Sequence, residues 1–397
     1  MNSVARDSKV QIQSAEGASI LNARFRASRL RQLLIGICLL GFSWVLGFEI
    51  WSFTFTTRSL AAETVFPGKS WTHCPPAEVQ LSAGKLAAFS EHVAGRGCVV
   101  RHGRMAFTWG DQSRSYDVAS AMKPVLSTML FIAIEEGRLK GADERVADIE
   151  PRLLALNGGK DAAITWRHLG SQTSGYGLVE KPGDAWSYND FALALYHDTL
   201  MEKVFKQAGL DVFRSRLLEP MQFEDAVSFD KPRAGRLALS VRDFARFGLL
   251  CLHRGRWGER QLVSEKSFDA MLGSLVPASL PRTSGREAPM LEGQRSIGGS
   301  RNITPAGPGF YSFNWWLNKT NALGQRLYRE LPHDTFIAAG HGGKRMLLVV
   351  PAWHMVVSWN DSVVDDHDNS PGDASTRANR ATRLLREAVL DAAPPGK

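Results

Sequence analysis

Ser120-Ala121-Met122-Lys123 stands at the head of an apolar stretch, Val125-Leu126-Ser127-Thr128-Met129-Leu130-Phe131-Ile132-Ala133-Ile134. A run that is apolar on almost every side reads as a helix buried in the middle of a fold. Pro124 fits only the first turn of such a helix, where the backbone N–H groups have no partner to lose. Ser120 is therefore predicted at or near the helix start. Residues three apart share a helix face, so the Lys123 amine reaches the Ser120 hydroxyl. A serine hydroxyl needs an adjacent base before it attacks anything at neutral pH. A lysine stripped of water is a candidate for that base, because burial disfavours its charged form. The open N–H groups and the positive dipole end at the helix start would stabilise a developing oxyanion. The rival reading is an ordinary surface helix holding Ser and Lys by chance, and the apolar run argues against it.

The chain has 397 residues, 44% hydrophobic and 22% charged, enough for a large globular core. Its net charge of +8 is concentrated at the start. Arg6, Lys9, Arg24, Arg26, Arg29 and Arg31 face only Asp7 and Glu16 there. No basic stripe interleaved with aromatics occurs in the body, which excludes a nucleic-acid partner. Leu33 to Phe48 carries no charge, and with Glu49 tolerated the apolar run reaches Phe55. That length suits a hydrocarbon core of about 30 Å. The preceding arginines put the N-terminus in the cytoplasm and the body outside. The organisation expected is a basic cytoplasmic tail over 1–31, a transmembrane anchor or signal segment over 32–55, a tether over 56–78 and a folded domain over 79–397. A periplasmic domain on a single-pass inner-membrane anchor is the first expectation. Secretion after signal cleavage, near Ser59-Leu60-Ala61, is the alternative.

Cys38 belongs to the apolar segment. An exported Cys74 and Cys98 either form a disulfide or remain separate thiols, and Cys251 reads as a buried helix position. No cysteine pair has zinc-ligand spacing, and Asp365-Asp366-His367-Asp368 reads as a solvated loop, so neither metal nor cofactor is expected.

Val99-Val100 and Met105 to Trp109, split by His102-Gly103-Arg104, predict a β-hairpin. From about 136 to 260 the pattern is mostly helical, clearest at Leu239 to Leu252 with Ser240 as the cap. Residues 272–309, rich in Gly, Pro, Ser and Arg, predict a long excursion that lines a site or moves. Strands are expected at Phe310 to Leu317, Arg345 to Val350 and Met355 to Trp359, with a final helix over Ala374 to Ala392. Helices enclosed between an N-terminal hairpin and C-terminal strands predict an α+β fold, its antiparallel sheet built from both chain ends beside a helical lobe.

With these elements in place, the chain resembles the serine β-lactamase-like hydrolases, the superfamily of class C β-lactamases, D,D-peptidases, related esterases and 6-aminohexanoate-oligomer hydrolases. Tyr116-Asp117-Val118-Ala119-Ser120-Ala121-Met122-Lys123 is similar to the nucleophile motif. Ile164 to Leu169 with Thr173-Ser174-Gly175 is similar to the loop before the second motif, and Pro182 to Asp190 to the segment carrying Tyr-x-Asn. Leu239 to Gly248 resembles a helix of the esterase and class C branch, and His341-Gly342-Gly343 stands where the family has Lys-Thr-Gly or His-x-Gly.

The resemblance implies a β-lactamase/transpeptidase-like fold over about residues 80–393. It implies Ser120 as nucleophile, with Lys123 and Tyr188 sharing the base role. Tyr188 would relay a proton to the leaving group. It implies an oxyanion hole from the backbone N–H groups of Ser120 and Lys344, with Asp190, His341, Gly342 and Gly343 toward substrate. Asp190 departs from the family's usual Asn: an ionised carboxylate only accepts hydrogen bonds, so it is expected to hold Lys123 or a substrate donor. The expected reaction is acyl-enzyme hydrolysis of an ester or amide in a small molecule or short peptide. β-Lactamase or D,D-peptidase activity is the alternative, and an inactive cell-wall-peptide binding module is the alternative of another class.

Some of these residues have plainer readings. Asp190 serves equally as a helix N-cap for Phe191 to Leu200, and His341 as a simple turn residue. His168 is expected to be structural, and Trp315 and Trp316 to divide between core and pocket wall.

Overall fold

Val99 and Val100 are neighbours in sequence yet face two different cores, because successive side chains of a strand point to opposite faces. That division organises the whole domain. The computed structural model describes residues 64–228, 236–293, 306–321, 324–365 and 371–392. The expected basic tail, the 32–55 segment, Cys38 and part of the tether lie outside the described residues, as does most of Asp365 to Asp368. Among the described residues no helix is long and apolar enough to cross a membrane.

In chain order the elements that position the site are α1 (Ala83–Val93), β1 (Arg96–Arg101), β2 (Arg104–Trp109), β3 (Tyr116–Asp117) and α2 (Lys123–Glu135). They continue with α3 (Asp190–Asp198), β4 (Ala238–Leu239), α4 (Val241–Leu252) and α5 (Glu265–Gly273). The chain closes with β5 (Tyr311–Ser312), β6 (Trp315–Leu317), β7 (Phe336–Gly340), β8 (Arg345–Val350), β9 (Met355–Asn360) and α6 (Arg377–Ala388). A seven-stranded sheet runs β2-β1-β9-β8-β7-β6-β5, antiparallel throughout. Both chain ends build it, as expected for the α+β reading. Val99 lies opposite Val357, and Leu348 opposite Val357 on the other side, so β9 joins the N-terminal hairpin to the C-terminal strands.

One face of the sheet packs on α1 and α6 through Leu86, Phe89, Ala381 and Leu385. The other packs on α2 and α4 through Leu126, Leu130, Phe244 and Leu249. With both faces covered, the strands carry near-continuous apolar runs instead of alternating polar residues. α2 is buried from Lys123 to Ala133, each apolar side chain worth about 1.5–3 kcal/mol against exposure.

Several boundaries differ from the sequence expectation. Phe310 to Leu317 is a tight hairpin and not one strand: Phe313 and Asn314 both take positive φ, the signature of a two-residue reversal. Asn189, not Asp190, caps α3, its side chain accepting from the N–H groups of Phe191 and Ala192. Cys74 and Cys98 are free thiols, so the disulfide alternative falls. Cys98 instead directs its Sγ at the Val241 carbonyl inside the core. His168 is structural, completing a capping box with Thr165. α1 and β7 carry no sequence expectation.

Candidate active site

The turn leading into α2 is held under tension. Ala119 takes a φ of 50°, a conformation that costs a residue with a Cβ roughly 1–2 kcal/mol. Asp117 secures it: its Oδ1 accepts the Ala119 N–H at 2.7 Å. That carboxylate is buried and gripped by the Arg236 guanidinium. Burial alone would raise its proton affinity, but Arg236 and the Ala119 N–H outweigh burial and hold Asp117 below the usual carboxylate range. The Asp117 carbonyl accepts from Arg345 Nε at 2.9 Å, and β3 pairs with β4 beneath. Ala119–Met122 forms a single 3-10 turn, and the α-helix proper starts at Lys123. Ser120 thus precedes α2 as expected, half-buried at its mouth.

Lys123 is only 2% exposed. Its Nζ stands 2.6 Å from Ser120 Oγ, 2.7 Å from the Tyr188 hydroxyl and 2.8 Å from Asp190 Oδ1. Two of the ammonium's N–H groups meet the Ser120 and Tyr188 hydroxyls, and Asp190 forms an ion pair with the same nitrogen. The sequence expectation of a lysine neutralised by burial is corrected. Burial does push toward the neutral form, but the Asp190 carboxylate and the Tyr188 oxygen outweigh it and raise the lysine's proton affinity.

Tyr188 is set by Gln172, whose backbone carbonyl accepts the Ser187 N–H at 2.9 Å and whose side chain accepts the Asn189 N–H. Its ring stacks on Trp316, with centroids 6.0 Å apart and planes 17° from parallel. Trp186 and Tyr311 complete an aromatic wall, and the described part of the 272–309 excursion docks there, the Trp186 backbone N–H donating to the Pro281 carbonyl. Trp315 is fully buried against Phe247 and Phe336, so the two tryptophans divide as expected.

On the sheet side, Gly340 ends β7 directly against the nucleophile turn. A Cβ there would stand 2.6 Å from the Val118 carbonyl oxygen and 3.1 Å from the Ala121 nitrogen. The residues expected at this place, Gly342 and Gly343, sit in the hairpin turn between β7 and β8. Gly342 takes a positive φ, and a Cβ on Gly343 would meet Val364. His341 is exposed at the same turn. The Lys344 N–H donates to the His341 carbonyl at 3.1 Å, and Lys344 Nζ pairs with Asp365 at 2.8 Å. The Lys344 N–H is thus engaged within its own turn, and the strand segment beside the nucleophile turn is Ala338-Ala339-Gly340.

The structure brings together Ser120, Lys123, Tyr188 and Asp190, and places His341, Gly342, Gly343 and Lys344 in the turn that follows β7. Sequence reasoning missed β7, Gly340, the clamp of Asp117 by Arg236, and Gln172. The small-residue run Ala338-Ala339-Gly340 was the one available signal. Among the described residues no cluster of His, Cys, Asp and Glu is arranged to hold a metal.

Solved structures with this architecture include a β-lactamase from Mycobacterium bovis (17% identity, TM-score 0.53, 77% of this chain and 100% of that one). A penicillin-binding protein homologue from Caulobacter crescentus matches at 15% identity and TM-score 0.53, over 80% of this chain and 97% of that one. EstCE1, a hydrolase with promiscuous acyltransferase activity, matches at 14% identity and TM-score 0.54, over 78% and 98%. At such identities the likeness is one of fold. Among curated proteins none matches this chain significantly. The Beta-lactamase family model matches residues 97–352, and the chain belongs to that family.

Proposed function

We propose that the protein is a serine hydrolase that works through an acyl-enzyme on an ester or amide. The observation that carries this is the single amine, Lys123 Nζ, within hydrogen-bond reach of both the Ser120 and Tyr188 hydroxyls. In its neutral form the Lys123 amine takes the Ser120 proton as Oγ bonds to the substrate carbonyl carbon. The oxyanion forms between the Ser120 N–H and the Gly340–His341 peptide, which Gly340's close approach brings to the nucleophile turn. The proton then passes through the Tyr188 hydroxyl to the leaving group, and the acyl ester remains on Ser120. Water attacks that ester, gives its proton back through Tyr188 to Lys123, and Ser120 departs with its hydrogen restored.

Esterase or amidohydrolase chemistry is favoured over β-lactam or D,D-peptide turnover. Asp190 accepts hydrogen bonds only and is engaged by Lys123. A screen of p-nitrophenyl esters, nitrocefin and D-Ala peptides tests this reading. Ester turnover lost in Lys123→Met supports it, and near-normal turnover in that variant refutes the base role.

We also infer that the catalytic domain lies outside the cytoplasmic membrane on the apolar segment over 32–55, on the strength of its length and the arginines before it. Protease added to spheroplasts should cleave the domain; full protection would reverse the orientation.

A further inference from the structure

Asp190 is 6% exposed and buries a carboxylate against a lysine that is itself 2% exposed. Such a pair persists only where each charge answers the other, because taking either out of water alone is costly. The pair stands on two elements, Lys123 opening α2 and Asp190 opening α3, so it also ties the two helices together at the nucleophile. The N–H groups of Lys123 are turned to Ser120 and Tyr188. Around this amine the ionisable neighbours are few. Asp190 comes from α3, Tyr188 from the segment before it, and Tyr311 from β5 lies edge-on to Tyr188 at 6.4 Å. Asp190 carries the carboxyl group among them. Tyr311 is buried and its proton affinity is pushed up, first by that burial and then by Tyr188 and Asp190, so it stays neutral.

We propose that Asp190 is a positioning residue that sets the pH at which Ser120 becomes nucleophilic, through its ion pair with Lys123 Nζ at 2.8 Å. This rests on the hydrolase reading of Ser120 and Lys123 and adds what that reading lacks, an account of when the amine is free to act. A lysine held as ammonium has no lone pair for the serine proton. The enzyme therefore gains activity only as pH rises far enough to strip one proton from Lys123. Asp190 then repays the delay, since the same carboxylate stabilises the ammonium that forms when the serine proton arrives. A merely structural Asp190 would affect folding and the plateau rate but leave that pH unchanged.

The experiment follows the Lys123 side chain directly, by NMR of lysine ¹⁵Nζ or ¹³Cε across a pH titration, the signal assigned by its loss in Lys123→Met. Asp190→Asn preserves shape and removes the charge. Its Lys123 midpoint should fall by about one pH unit or more, the size expected for one opposite charge at contact distance. Asp190→Glu should keep the midpoint near the parent's. The rate of Ser120 phosphonylation by a fluorophosphonate should move its alkaline limb by the same amount. An unchanged Lys123 midpoint in Asp190→Asn, with the parent's circular dichroism retained, overturns the proposal. Loss of fold in that variant passes the decision to Asp190→Glu, where a midpoint that falls by about one pH unit or more despite the retained carboxyl group overturns it equally. A midpoint that falls while Ser120 reacts in neither protein would sustain the role of Asp190 and refute the hydrolase reading.

Discussion

Gly340 and Val118 approach so closely that no side chain fits between the end of β7 and the nucleophile turn: a Cβ on Gly340 would lie 2.6 Å from the Val118 carbonyl oxygen. Gly340 has an ordinary extended backbone, φ −130°, so the need for glycine here is steric and not conformational. Gly340→Ala should therefore fold but push the turn away from the strand. A displacement of the order of 1 Å lowers kcat/KM by roughly 10²-fold. Steady-state kinetics on an activated ester, with a thermal melt as control, measure it; parent-like kcat/KM would show that the strand does not set the geometry of Ser120.

The buried helix makes a separate prediction about stability. Leu130 is fully buried in α2, in the core beneath the site. Leu130→Ala should cost about 2–5 kcal/mol. Chemical denaturation reads the loss, and a change below about 1 kcal/mol would mean that α2 is not packed as described.

His253 sets an acid limit to the fold. Its ring packs against Phe66, with centroids 4.9 Å apart, and its Nε2 is buried with no hydrogen-bond partner. Burial first, then Arg256 and His354, lower its proton affinity to about 4 from the ordinary 6.5. The unfolded chain binds that proton more readily than the folded one. The stabilising contribution of the neutral ring is thus complete above about pH 6.5 and is lost as pH falls through about 4. His253→Gln should flatten the fall in Tm between those values, and an equally steep fall in the variant would assign acid lability elsewhere.

The sequence was most informative where local chemistry and local pattern coincide. Ser120, Lys123 and Pro124 sit within one helical turn, and an apolar run declares the burial of that turn, so the nucleophile and its amine were legible. The hairpin of β1 and β2 was legible for the same reason. β7 was not. Phe336 to Gly340 is short and made largely of small residues, with no alternation, and only pairing with β8 and close approach to Val118 define it. His341-Gly342-Gly343 forms the reversal between β7 and β8, just ahead of the strand that starts at Arg345. The balance of charge on Lys123 was not legible, because burial and Asp190 act on it in opposite directions and only the fold sets them at contact distance. Asp190 lies 67 positions away in sequence, and nothing in the local pattern fixes it at 2.8 Å from the amine. Phe313 with positive φ breaks a rule that sequence reasoning relies on, so the β5–β6 reversal was read as one strand.

The most direct measurement of the central claim is intact-protein mass spectrometry after exposure to a fluorophosphonate. The account predicts one covalent adduct on the parent protein, located to Ser120 by peptide mapping, and none on Ser120→Ala. An unmodified parent under conditions where known serine hydrolases react fully, or an adduct that survives Ser120→Ala, would contradict it.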